Sequence, residues 1–161
     1  MINRGNHKSD IFREEEDYRM FLKLLEKAQK QYTFFIISYC LMTNHVHLQI
    51  ETSTFPIWDI TKYLFCTYSH YFNRKYDEFG HLFQGRYNSE IIDDDAYYLE
   101  TSRYIHLNPV KAHIVTKPID YPWSSYSAYM GASKCSLVSE GKILEYFSKN
   151  SRSYKEFVEA R

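Results

Sequence analysis

The chain carries no excess of charge, 20 Lys and Arg standing against 20 Asp and Glu, so it lacks the basic footprint by which many nucleic-acid-binding domains show themselves. No apolar run approaches the roughly 20 residues that cross a bilayer, which excludes a membrane-spanning protein. The N-terminus, Met1-Ile2-Asn3-Arg4-Gly5, has no basic region followed by an apolar stretch. Nothing marks export, and the cytoplasm is the expected location. Cysteine is sparse too. Cys40, Cys66 and Cys135 are odd in number and widely spaced, and with no Cys-x-x-Cys pair they read as small reduced core residues rather than zinc or redox groups. Repeats and low-complexity linkers are missing, and 161 residues can bury one independent core.

What the chain has in quantity is aromatic side chains, 16 Tyr and 11 Phe, able to fill a core or to stack on unpaired bases. Helical spacing of Tyr18, Phe21, Leu22, Leu24, Leu25 and Ala28 predicts an amphipathic helix over Phe12 to Gln31. The aromatic and β-branched run from Thr33 to Met42, the turn Thr43-Asn44 and the alternation from His45 to Glu51 predict a hairpin. In its second strand Val46, Leu48 and Ile50 take the core face and His45, His47, Gln49 and Glu51 the other. A helix is expected from about Ile57 to Tyr76 and a strand from Asn88 to Ile92. Asp93-Asp94-Asp95 offers N-cap oxygens to a helix expected to end near Leu107, because Pro109 disfavours helical geometry at Asn108. Two short helical stretches follow, near Glu140 to Lys149 and Ser153 to Ala160. The order predicts an α+β fold with a mainly antiparallel sheet, helices packed on one face and the other face free for a ligand. Only Met1 to Asn3 are left for a first strand, so the natural product could begin upstream.

His45-Val46-His47 puts two imidazoles on one strand face, roughly 6–7 Å apart along the backbone, a geometry that suits two ligands of one divalent ion. The alternative is a polar pair on a solvated face. On the helix after Asp94, Tyr98, Ser102 and Ile105 form the expected core face, while Tyr97, Thr101, Tyr104 and Asn108 share another. Tyr104 and Asn108 are therefore neighbours, a phenol nucleophile and an oxygen ligand one turn apart. A phenol with an unperturbed pKa of about 10 is a poor nucleophile at neutral pH and needs a target polarised by a cation. Against this stand a packed aromatic at Tyr104 and a simple C-terminal cap at Asn108.

Four stretches in order resemble a known family: Met42-Thr43-Asn44-His45-Val46-His47-Leu48, Gly80-His81-Leu82-Phe83-Gln84-Gly85-Arg86-Tyr87, Arg103-Tyr104-Ile105-His106-Leu107-Asn108-Pro109-Val110-Lys111 and Tyr121-Pro122-Trp123-Ser124-Ser125-Tyr126. They are similar to the HUH-type single-tyrosine transposases, above all the REP-associated tyrosine transposases, over Asn3 to about Tyr129. The resemblance implies a ferredoxin-like domain at 1–130, with 131–161 as a helical extension packed on it or following it. It implies an enzyme that nicks single-stranded DNA beside a hairpin, forms a 5′-phosphotyrosine and leaves a free 3′-hydroxyl for strand transfer. His45 and His47 match the metal-binding pair and Tyr104 the nucleophile. Asn108 is the third candidate ligand, and Mg²⁺ or Mn²⁺ the expected ion. Arg86, Arg103 and Lys111 are the candidate phosphate contacts. Tyr87 and Tyr97 are stacking or buried rings, and His81 and His106 structural or DNA-proximal groups. The expected partner is hairpin-bearing single-stranded DNA, the assembly a monomer or homodimer. A hairpin-binding relative without cleavage is the main rival, and a structural zinc pair in an interaction domain a more distant one, since two further ligands are missing.

Overall fold

The structure, a computed structural model, describes residues 1–132 and 136–160. Cys135, expected as a core thiol, lies outside them. Strand β1 (Ile2–Arg4) is followed by helix α1 (Glu15–Tyr32), strands β2 (Phe35–Met42) and β3 (His45–Glu51), helices α2 (Ile57–Tyr76) and α3 (Asp95–Lys111), and the short helices α4 (Tyr126–Tyr129), α5 (Gly141–Leu144) and α6 (Ser151–Glu159). The sheet is antiparallel in the order β1-β3-β2. The fold is α+β and ferredoxin-like. Among the described residues no helix is long and apolar enough to cross a membrane.

The described residues gather into two compact units, and β2 and β3 contribute to both. The first comprises Met1–Phe35, Leu41–Val46 and Glu51–Ser89. Its core is aromatic: the Phe12 ring stacks on Tyr18 with centroids 4.3 Å apart, and Phe21 meets Tyr68 edge-on at 5.1 Å. The Tyr68 hydroxyl would be stranded there, and it donates to the Ile11 carbonyl at 2.6 Å. In the first turn of α1 the buried Asp17 carboxylate meets α2: it accepts from Lys75 Nζ at 2.8 Å and from the Tyr71 and Tyr76 hydroxyls at 3.0 and 2.7 Å, and also from the Arg13 amide at 2.9 Å. Burial alone would raise its pKa. The hydrogen bonds from Lys75, Tyr76 and the Arg13 and Glu14 amides win and lower it.

The second unit comprises Ile36–Cys40, His47–Ile50 and Glu90–Arg161. Here Gln49 links three elements. Its Oε1 accepts from Ser38 Oγ of β2 at 2.8 Å and its Nε2 donates to the Tyr98 carbonyl of α3 at 2.9 Å. The polar face of β3 is thus covered at His47 and Gln49, 5% and 2% exposed, where the sequence predicts an open one. An amide that can satisfy donors and acceptors on both sides makes that burial affordable.

Three further boundaries differ from expectation. Helix α1 begins at Glu15, and Phe12, predicted as its first residue, lies before it and is buried in the core. No strand forms over Asn88 to Ile92. Only Asn88 pairs, bridging to Ile2, and Ile91 is left 89% exposed, because a three-residue β1 offers no further edge to pair with. Helix α3 starts as expected, Asp94 accepting from the Tyr97 amide at 2.7 Å, but runs through Pro109 to Lys111. The proline removes only the N–H that would meet the Ile105 carbonyl, and the ladder resumes with Ala112 N to Asn108 O at 2.9 Å.

Candidate active site

His45 and His47 leave β3 on one face, as period two requires. His45 Nδ1 lies 2.6 Å from Asn44 Oδ1. An amide oxygen can only accept, so Nδ1 carries the proton and Nε2 keeps the lone pair. Burial, then the nearby Arg4 guanidinium, hold the His45 pKa down at about 4, so this imidazole is neutral at physiological pH. A neutral ring with an oriented lone pair is the form that ligates metal. His47 is buried, its Nε2 included.

Tyr104 comes to His47 from α3. Its ring meets the imidazole edge-on with centroids 5.6 Å apart, yet Tyr104 is still 47% exposed. The ring is thus packed on one side and open to solvent on the other. Lys111 Nζ stands 4.7 Å from the centre of the same ring, a cation–π contact that sets an ammonium over the ring face. Asn108 Nδ2 donates to the Tyr104 carbonyl at 3.0 Å, which leaves Oδ1 as the end able to meet a cation. Tyr97, the other phenol of that face, hydrogen-bonds the Glu90 carboxylate, which raises its pKa. Among the described residues no cluster of three or more His, Cys, Asp or Glu could hold a metal.

Two expectations give way. Arg103, a candidate phosphate contact, is spent inside the second unit. Its Nη2 donates to the Ala160 carbonyl at 2.6 Å, its Nε to the Val158 carbonyl at 3.3 Å, and its guanidinium lies over Phe157. Cys66, expected in the core, is exposed, while Cys40 is buried as expected. His106 resolves to the structural option: it is fully buried, and its ring nitrogens meet Tyr154 Oη and Ser125 Oγ, both at 2.8 Å. Burial pushes its pKa down to about 3. Asn44 was visible in the sequence only as a turn residue. Arg4 carried no signal at all, since its place beside His45 depends on the pairing of β1 with β3.

A solved structure described as a REP-associated tyrosine transposase bound to a REP hairpin superposes with a TM-score of 0.67 at 17% identity, over 86% of this chain and 87% of that one. At that identity it shows the fold. No curated protein matches the chain. The family described as "Transposase IS200 like" matches residues 1–108, and the chain belongs to that family.

Proposed function

We propose that this chain is a metal-dependent endonuclease and strand transferase for single-stranded DNA, acting beside DNA hairpins through a 5′-phosphotyrosine on Tyr104. The observation that carries the reading is the exposed Tyr104 ring set edge-on against His47, with Lys111 over its face. The likeness to a hairpin-bound tyrosine transposase supports the choice of DNA. In this reading the catalytic domain spans 1–130, with 131–161 as its extension.

The Tyr104 oxygen attacks the scissile phosphorus, the bond from phosphorus to the 3′-oxygen breaks, and that oxygen leaves as a 3′-hydroxyl after taking up a proton. The phenol proton goes to solvent. The product ester keeps the phosphodiester's energy, so a later 3′-hydroxyl can displace Tyr104 and rejoin a strand without a nucleotide cofactor. Lys111 and Arg86 are the candidate phosphate contacts. His45 and His47, with Asn108 Oδ1 as third candidate, would hold Mg²⁺ or Mn²⁺, and an ion held there would supply polarisation of the phosphate. Imidazole is a softer donor than oxygen, and this favours Mn²⁺ of the two. The partner in solution is a single-stranded DNA with a hairpin, and monomer and homodimer are both compatible.

The test is a nicking assay on labelled single-stranded hairpin DNA with Mn²⁺ or EDTA, resolved on denaturing gels. A metal-dependent covalent adduct is expected, lost in Tyr104→Phe with DNA binding retained. A full adduct in that variant would move the nucleophile elsewhere, and tight binding with no adduct over many hairpins would leave a binding protein that does not cut.

A further inference from the structure

The Gly80–Tyr87 motif has no task in the chemistry above beyond Arg86. In the first unit it pairs with the chain around β1, Gln84 N donating to Arg4 O at 2.9 Å and Asn6 N to Leu82 O at 2.8 Å. Gly80 and Gly85 sit at φ +93 and +127, conformations that L side chains rarely adopt, and they let the loop turn at both ends. Leu82 and Phe83 are thereby buried, Phe83 against Phe65 of α2 at 4.9 Å, while His81 and Arg86 stay exposed. Between this loop and α2 lies a cavity of about 610 Å³.

Its wall has an unusual composition for a chain of zero net charge. Trp58 and Tyr87 bring aromatic surface, Lys62 and Arg86 positive charge, and His70 and His81 imidazoles, and among the described residues no Asp or Glu lines it. Trp58 is 57% exposed, a large ring left in water at the edge of a concave site. An apolar ligand would not need the cations, and a simple anion would not need the rings. Unpaired nucleic acid needs both, because each base has a stacking face and each linkage a charge.

We propose that this groove seats an unpaired nucleotide of single-stranded DNA, its base against Trp58 and Tyr87 and its phosphates against Lys62 and Arg86. The choice of DNA rests on the function proposed above. The groove grips rather than reads, since stacking is sequence-tolerant, and so it suits whatever single strand flanks the hairpin.

Binding is measured by fluorescence anisotropy with labelled oligothymidylate of about 12 nucleotides, within the site sizes of single-strand binding folds, and with a blunt hairpin lacking any flank. Trp58→Ala is expected to weaken oligothymidylate binding about tenfold, and Lys62→Ala to lower the slope of log affinity against log salt by about one. Both should bind the blunt hairpin as the wild type does. Because Cys66 is exposed in this groove, oligothymidylate should also slow its alkylation by maleimide, followed by peptide mapping. Unchanged affinity in both variants, equal losses on the blunt hairpin, or undiminished Cys66 alkylation would each overturn the assignment. The two readings fail separately. Weakened single-strand binding in a protein that forms no adduct keeps the groove and sinks the nuclease, whereas a Tyr104 adduct with unchanged binding in both variants does the reverse.

Discussion

Replacing Tyr154 with phenylalanine removes one oxygen from the second unit and keeps the ring. That oxygen lies 2.6 Å from Ser102 Oγ and 2.8 Å from His106 Nδ1, and the order of protons around it follows from the far end. Ser125 Oγ donates to the Tyr39 carbonyl at 3.2 Å, so it accepts from His106 Nε2, which must carry the ring proton. His106 Nδ1 is then an acceptor, Tyr154 its donor, and Ser102 the donor to Tyr154. Tyr154→Phe leaves a buried imidazole nitrogen and a buried hydroxyl without this partner, in a place where Tyr154, Ser102 and His106 are all 0% exposed. Each such group costs about 1–3 kcal/mol. Sharing and relaxation bring the expected total to about 2–3 kcal/mol, or a midpoint lower by roughly 5–10 °C for a chain of this size. Thermal denaturation followed by circular dichroism measures it. A midpoint within about 1 °C of wild type would show that the network contributes nothing net, and the reasoning would be wrong.

Other expected outcomes follow from single contacts. Asn44→Ala frees the His45 ring to reorient and should weaken Mn²⁺ binding about 10- to 100-fold by calorimetry; unchanged affinity would dissociate Asn44 from the metal. Lys111→Ala should slow adduct formation at saturating DNA while the melting midpoint holds, and an unaltered rate would remove Lys111 from the chemistry. Asp17→Asn should cost about 2–3 kcal/mol in urea unfolding, a figure reduced from that of a fully buried pair because the Lys75 side chain remains 20% exposed. His106, held down to about 3 by burial, takes up its proton near pH 6.5 only when unfolded. Its contribution is therefore complete above pH 6.5 and lost as pH falls toward 3. His45 acts in the same direction, so the urea midpoint should drop between pH 7 and pH 5; a flat or rising midpoint would contradict both assignments.

The hairpin and α2 were legible because their signals are local: period-two alternation in His45 to Glu51, and helical spacing closed by a turn at Tyr76. The faces of His45, His47, Tyr104 and Asn108, the residues of the proposed site, follow from local spacing in the same way, each lying in a short motif. What escaped depends on partners far along the chain. Arg103 and Lys111 look alike in sequence, and only the docking of α6 shows that one guanidinium is occupied by the carbonyls of Val158 and Ala160 while the ammonium of the other lies over Tyr104. The missing strand at Asn88 to Ile92 and the buried polar face at Gln49 have the same origin, since pairing edges and covering helices are tertiary facts.

Helix α3 interleaves two kinds of residue. Ser102, Arg103 and His106 tie it to α6 and its neighbours, and Tyr104, Asn108 and Lys111 carry the proposed chemistry. Inserting or deleting one residue within this stretch would turn everything after it by about 100°, exchanging anchors for reactive groups. A substitution here alters one contact; a change of length displaces every contact after it. Among homologous chains, whatever else drifts, the number of residues from Ser102 to Lys111 should stay constant, and a natural gap there would mark a protein that has left this chemistry behind.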